Sequence, residues 1–114
     1  MALRIIRKNE DPALYKPCKE VKKFDARLSE LIDDMIETMN DADGVGLAAP
    51  QVGVLRRVCV IDVGEGPVEL VNPVILEYSG EQGGMEGCLS FPGQYGMVER
   101  PMRVRVEYQD RNGK

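Results

Sequence analysis

Between positions 25 and 40, apolar residues recur at steps of three and four: Leu28, Leu31, Ile32, Met35, Ile36 and Met39. That period puts them on one face of an α-helix. Asp25 stands where an N-cap belongs, with a carboxylate that can accept from the first free amides. Glu30, Asp33, Asp34 and Glu37 fall off the stripe and read as a solvated acidic face. A helix with one apolar stripe has to bury it against another element. The rest of the chain offers strands for that purpose.

Residues 57–63 (Arg-Val-Cys-Val-Ile-Asp-Val) are rich in β-branched side chains and predict a strand, with Cys59 in the core. Gly64-Glu65-Gly66-Pro67 predicts a turn. Residues 68–71 and 73–78 predict two short strands on either side of Asn72-Pro73, and Ser79-Gly80 begins another turn. Residues 97–99 predict local pairing before Arg100-Pro101. Residues 103–110 alternate, with Val104, Val106 and Tyr108 on one side and Arg103, Arg105, Glu107 and Gln109 on the other. That is the period of a half-buried strand. Asn112-Gly113 follows, a strong signal for a tight hairpin turn, and the expectation is that a returning strand lies past Lys114.

Near the start, residues 3–6 predict an edge strand or arm. Asp11-Pro12 predicts an N-cap and first position of one helical turn, which Pro17 ends. Cys18 reads as a partly buried small apolar residue.

At 114 residues the chain is one domain or part of one. A formal net charge of −4 disfavours a general nucleic-acid binder. Charge arrives too early for a signal peptide, and no apolar run approaches a membrane span. Three cysteines, far apart and without a C-x-x-C pair, indicate neither a zinc knuckle nor a disulfide scaffold, so a reducing cytoplasm is the expected home. There is no histidine among the 114 residues.

Asp41-Ala42-Asp43-Gly44 ends the helix and leads into Gly44-Val45-Gly46-Leu47-Ala48-Ala49-Pro50-Gln51-Val52-Gly53. This stretch is small and apolar apart from one amide, Gln51. One reading is a helix C-cap followed by tight packing. The other is a wall that something else approaches closely, with Gln51 as a hydrogen-bond donor. A second small-residue patch, Gly83-Gly84-Met85-Glu86-Gly87-Cys88-Leu89-Ser90, favours the wall. Cys88 is a candidate soft ligand or nucleophile, and the Leu89 amide a candidate second donor beside Gln51. Such donors are what carbonyl hydrolysis requires around a developing oxyanion. A cysteine nucleophile would need a basic partner, and a metal would need about three protein ligands.

Gly44 to Gln51 and Glu86-Gly87-Cys88-Leu89-Ser90 resemble the first two signature motifs of the peptide deformylases, in the right order. The likeness extends over nearly the whole chain. It implies an α+β fold, with the 25–40 helix packed on short, mostly antiparallel strands. It also implies a metal hydrolase that removes the formyl group from N-formylmethionyl peptides on ribosome-associated nascent chains. By that resemblance Cys88 is a metal ligand, to Fe(II) in the family with Ni or Zn as substitutes. Gln51 and the amide of Leu89 would polarise the formyl oxygen. Val45, Gly46, Leu47 and Gly87 would line the substrate, which pairs with them like an added strand. Glu86 would be a structural acid, with Arg100 as its partner.

The family's third motif, H-E-x-x-H on a helix, supplies two histidine ligands and a general acid/base. This sequence does not contain it. The expectation is a partial domain over residues 1–114, the N-terminal part of a deformylase that lacks the C-terminal metal-binding helix. Metal binding would then be weak or absent and the chain alone inactive. Uncovered apolar surface would favour self-association. The alternative expectation is a non-catalytic relative that binds peptide termini or a partner protein.

Overall fold

The computed structural model describes the backbone of residues 2–8, 11–79, 82–88, 91–100 and 103–114, and between 77 and 105 the backbone alone. One α-helix, α1 (Ala26–Asp41), stands among the described residues. A four-stranded sheet runs in the order β1 (Gly46–Ala48), β2 (Val58–Ile61), β3 (Val68–Ser79), β6 (Arg103–Gln109). β4 (Gln82–Cys88) and β5 (Phe91–Arg100) form a separate two-stranded sheet. All the ladders between these strands are antiparallel. The α+β expectation is met.

α1 begins as its sequence requires. The Asp25 carboxylate accepts from the Leu28 amide at 3.1 Å. Leu28, Leu31, Ile32, Met35 and Met39 are buried, and Ile36 is half-buried against them. The sheet answers with Leu47, Val58, Val60 and Val71, also buried. In β2 the burial alternates, so Val58 and Val60 face the helix side. Each such side chain contributes on the order of 1.5–3 kcal/mol when fully removed from water.

Several expectations need correction. The acidic face of α1 is not simply solvated. Asp34 is buried, and Asp33 is paired with Arg111 at 2.9 Å. Cys59 is half-buried and not in the core, because the alternation of β2 turns it away from the buried Val58 and Val60. Residues 68–71 and 73–78 are one strand, not two. Asn72 sits at φ +51° between them, and the register with β6 shifts between Val71 and Val74. Residues 97–99 belong to the longer β5. Tyr108, on the same side of β6 as Val106 by alternation, is 45% exposed, whereas Val106 is half-buried.

The residue that turns the chain at the end of α1 is Asp43, at φ +55°. Gly44 then returns its amide to the Met39 carbonyl at 2.9 Å. The Asn112-Gly113 turn forms, with Gly113 N–H donating to the Asp110 carbonyl at 3.0 Å and Asp110 N–H to the Lys114 carbonyl at 2.8 Å. Residues 3–6 are an arm and not a strand. The Pro12–Tyr15 turn is a single 3-10 turn capped by Asp11, whose carboxylate accepts from the Ala13 amide at 2.9 Å.

Candidate active site

β1 lies at one end of the four-stranded sheet, with β2 as its strand neighbour. Its register sets Gly46 opposite Ile61, Leu47 opposite Val60 and Ala48 opposite Cys59. The Asp62 amide donates to the Val45 carbonyl at 2.9 Å. Antiparallel pairs alternate between hydrogen-bonded and non-hydrogen-bonded. Val45 and Asp62 are therefore a bonded pair, and Gly46 and Ile61 are not. The main-chain N–H and C=O of Gly46 consequently face away from β2, toward the edge. The Ala48 amide faces the same way, and there it meets the Gln51 side chain.

Gln51 sits in the 3-10 turn Ala49–Val52 that follows β1. Its Oε1 accepts from the Ala48 amide at 2.9 Å. An amide held by its oxygen has its Nε2 group turned the opposite way, so Gln51 has a defined orientation. Gly53, at φ +82°, closes the turn by donating to the Pro50 carbonyl at 2.9 Å. Glycine is the residue that adopts this conformation without steric cost. Gly46 is under no such constraint. A Cβ there would meet Ile61 at 3.7 Å, an ordinary contact, so nothing among the described residues demands its absence. Val45 is 68% exposed and Leu47 is buried in the core.

The second motif falls in β4. Gly87 pairs with Tyr95 and Cys88 with Phe91, with a register shift between them. Glu86 pairs with Gly96, and Arg100 pairs with Gln82. The side chains of Glu86, Cys88 and Arg100, and all of Leu89, lie outside the described residues. Cys59, by contrast, is described. Burial pushes its thiol above the ordinary range, so it stays protonated and is a poor nucleophile.

A family profile for polypeptide deformylases matches residues 3–114. The chain belongs to that family. It is 58% identical to a peptide deformylase of Alkaliphilus metalliredigens over 114 residues, all of this chain and 78% of that one. A Caldicellulosiruptor bescii peptide deformylase is 58% identical over 113 residues, 99% of this chain and 68% of that one. The crystal structure of the Thermotoga maritima peptide deformylase superposes with a TM-score of 0.96 at 50% identity, covering 98% of this chain and 77% of that one. The Ehrlichia chaffeensis enzyme in complex with actinonin gives 0.97 at 40% identity, covering 100% and 72%. Peptide deformylases, the family of this chain, are metal-dependent hydrolases of N-formylmethionyl peptides.

The metal that deformylases use can be tested against the donors present. With no histidine, the motif contributes one ligand, Cys88. Among the described residues no group of three or more Cys, Asp or Glu side chains converges. A catalytic centre usually takes three protein ligands. These 114 residues do not by themselves make a whole centre. No helix among the described residues is long and apolar enough to cross a membrane.

The sequence reasoning missed what orients Gln51. The Ala48 amide was legible in principle, since three residues separate the two. The contact described below, from Arg7, left no local signal.

Proposed function

We propose that residues 1–114 form the substrate-binding wall and oxyanion side of a deformylase site, the N-terminal part of a domain whose other metal ligands come from outside them. The observation that carries this reading is the outward-facing backbone of Gly46 beside an oriented Gln51. A peptide laid along β1 would gain main-chain hydrogen bonds whatever its side chains are. That suits an enzyme for many different nascent chains. Val45, Gly46 and Gly87 line the peptide, Leu47 supports that wall from behind, its side chain in the core and its main chain facing Val60, and Gln51 with the Leu89 amide stabilises charge developing on the formyl oxygen.

Cys88 is the thiolate ligand of the metal, Fe(II) with Ni or Zn as substitutes. Its softness suits such a d-block ion and not Mg or Ca. With the remaining ligands supplied, Cys88 would help hold a metal, which would provide Lewis-acid polarisation and an activated water. With the chain's own donors alone, binding is weak and turnover absent. The Glu86–Arg100 brace belongs to the same proposal. Register sets the two four residues apart along the ladder, about 13 Å of strand. Ribosome-associated nascent chains in the cytoplasm are the proposed setting. Val74, Ile75 and Leu76, at 56%, 61% and 50% exposed, are the proposed route to self-association.

The test is a nuclear magnetic resonance titration with a short formyl-Met peptide and its unformylated counterpart. The reading requires shifts at the amides of Val45, Gly46 and Leu47. Shifts confined to the opposite face of the sheet would overturn it.

A further inference from the structure

We propose that Arg7 is a positioning residue for Gln51, acting through the N-terminal arm. The inference rests on the reading of Gln51 as a donor to the formyl oxygen. The arm is fastened at two places. At its start, the Ala2 amide donates to Asp34 Oδ1 at 2.7 Å, and the Arg4 amide to Thr38 Oγ1 at 2.9 Å. Arg4 also reaches Asp34 Oδ2 with Nε and Nη2, each at 2.9 Å. Those residues belong to the middle of α1.

At its other end the arm crosses the Gln51 turn. The Arg7 amide donates to the Gln51 carbonyl at 2.6 Å. The Arg7 guanidinium lies over Gly53, where a Cβ would come within 2.8 Å of Nη2. Asp11 holds that guanidinium at 3.1 Å. The Gln51 turn is therefore fixed from three sides. Ala48 holds the side-chain oxygen, Arg7 holds the main-chain oxygen, and the Arg7 guanidinium covers the left-handed residue that closes the turn.

A turn of four residues has little internal stability, since one or two hydrogen bonds offset the ordering of several dihedrals. A donor is useful in catalysis when its geometry is set before the reaction. The arm supplies that restraint from α1, the most deeply packed element among the described residues. Arg7 touches neither substrate nor metal in this scheme.

The experiment compares wild type with Arg7→Ala and with Asp11→Asn, which releases the guanidinium from its carboxylate partner while leaving Arg7 in place. Amide exchange at Ala48 and the side-chain amide resonances of Gln51 are the readouts, with exchange at Val60 as a core reference. Both variants should accelerate Ala48 exchange by about tenfold or more relative to Val60 and shift the Gln51 resonances. Unchanged Ala48 exchange and Gln51 resonances in Arg7→Ala would overturn the proposal. In metal-loaded protein carrying the remaining ligands, Arg7→Ala should lower kcat and leave KM within about twofold. If Gln51→Ala leaves turnover intact while Arg7→Ala still loosens Ala48, the donor role of Gln51 fails and the strap stands.

Discussion

Arg111 grips Glu69 from three directions: its Nε lies 3.0 Å from Oε2, its Nη2 2.8 Å from Oε2, and its own amide 3.1 Å from Oε1. The same guanidinium reaches Asp33 of α1 through Nη1 at 2.9 Å. One side chain thus joins β3, α1 and the turn after β6. The two carboxylates hold the guanidinium charged, well above its already high ordinary value. Arg111→Ala should cost about 2 kcal/mol, because multi-dentate charge-assisted bonds exceed neutral ones. Asp33→Asn should cost under about 1 kcal/mol, since that carboxylate is 37% exposed and screened. Urea unfolding of both variants separates the two figures.

Acid should unfold the protein through Asp34 and Glu69. Burial alone would raise the Asp34 carboxyl, but the Ala2 amide and Arg4 outweigh it and hold it below 3.8. Glu69 is held below 4.5 chiefly by its bonds to Arg111, against the opposing effect of burial. A depressed carboxylate adds stability above its unfolded-state value and loses it as pH falls through the folded one. Stability should therefore be flat in these two groups above about pH 5, and should fall below pH 4. In Asp34→Asn, the part of that fall due to residue 34 should vanish in a pH series of melting curves.

Asn72 joins three segments from one position. Its Oδ1 accepts from the Val21 amide at 2.8 Å, and its Nδ2 donates to the Val21 carbonyl at 2.9 Å and to Gln109 Oε1 at 3.0 Å. It does so from φ +51°, which asparagine tolerates better than most residues. Asn72→Ala should destabilise by about 2–4 kcal/mol, losing both the bonds and the backbone fit. Asn72→Gly keeps the backbone fit and should recover about 1 kcal/mol of that in denaturant titrations.

Ile32 is fully buried, at 0% exposure. Ile32→Ala should cost about 2–5 kcal/mol in thermal or denaturant unfolding, the range for a cavity that a helix–sheet interface closes only in part.

Gln51→Ala should lower turnover of a formylated peptide by about 10²–10³-fold in protein that holds the metal, as removal of an oxyanion donor does elsewhere. Steady-state kinetics check this. A loss confined to KM would reassign Gln51 to ground-state binding.

Local chemistry was readable and distant partnership was not. Leu28 to Met39 announced their helix because a period of three and four is written into neighbouring residues. The same holds for Asp25 as cap and Asn112-Gly113 as turn. Asp33 and Asp34 looked solvated because their cations, Arg111 and Arg4, lie far away in sequence. Cys59 looked buried because a β-branched run does not say which of its alternating positions faces the helix. Asn72 read only as a break before Pro73, although the break is a bulge that a side-chain amide spans. At the site, the glycines and Gln51 stood out by composition alone. The orientation of Gln51 did not, since it depends on an arm whose own sequence carries no periodicity.

The guanidinium at position 7 occupies the space that a side chain at position 53 would need. A side chain at 53 would have to push that flexible end aside as well as bear the strain of φ +82°, so the two sites should tend to vary together. Homologues that carry a bulkier residue at the equivalent of Gly53 should have shortened the one at the equivalent of Arg7. Families that keep the arginine should keep the glycine, even where the rest of the arm has drifted.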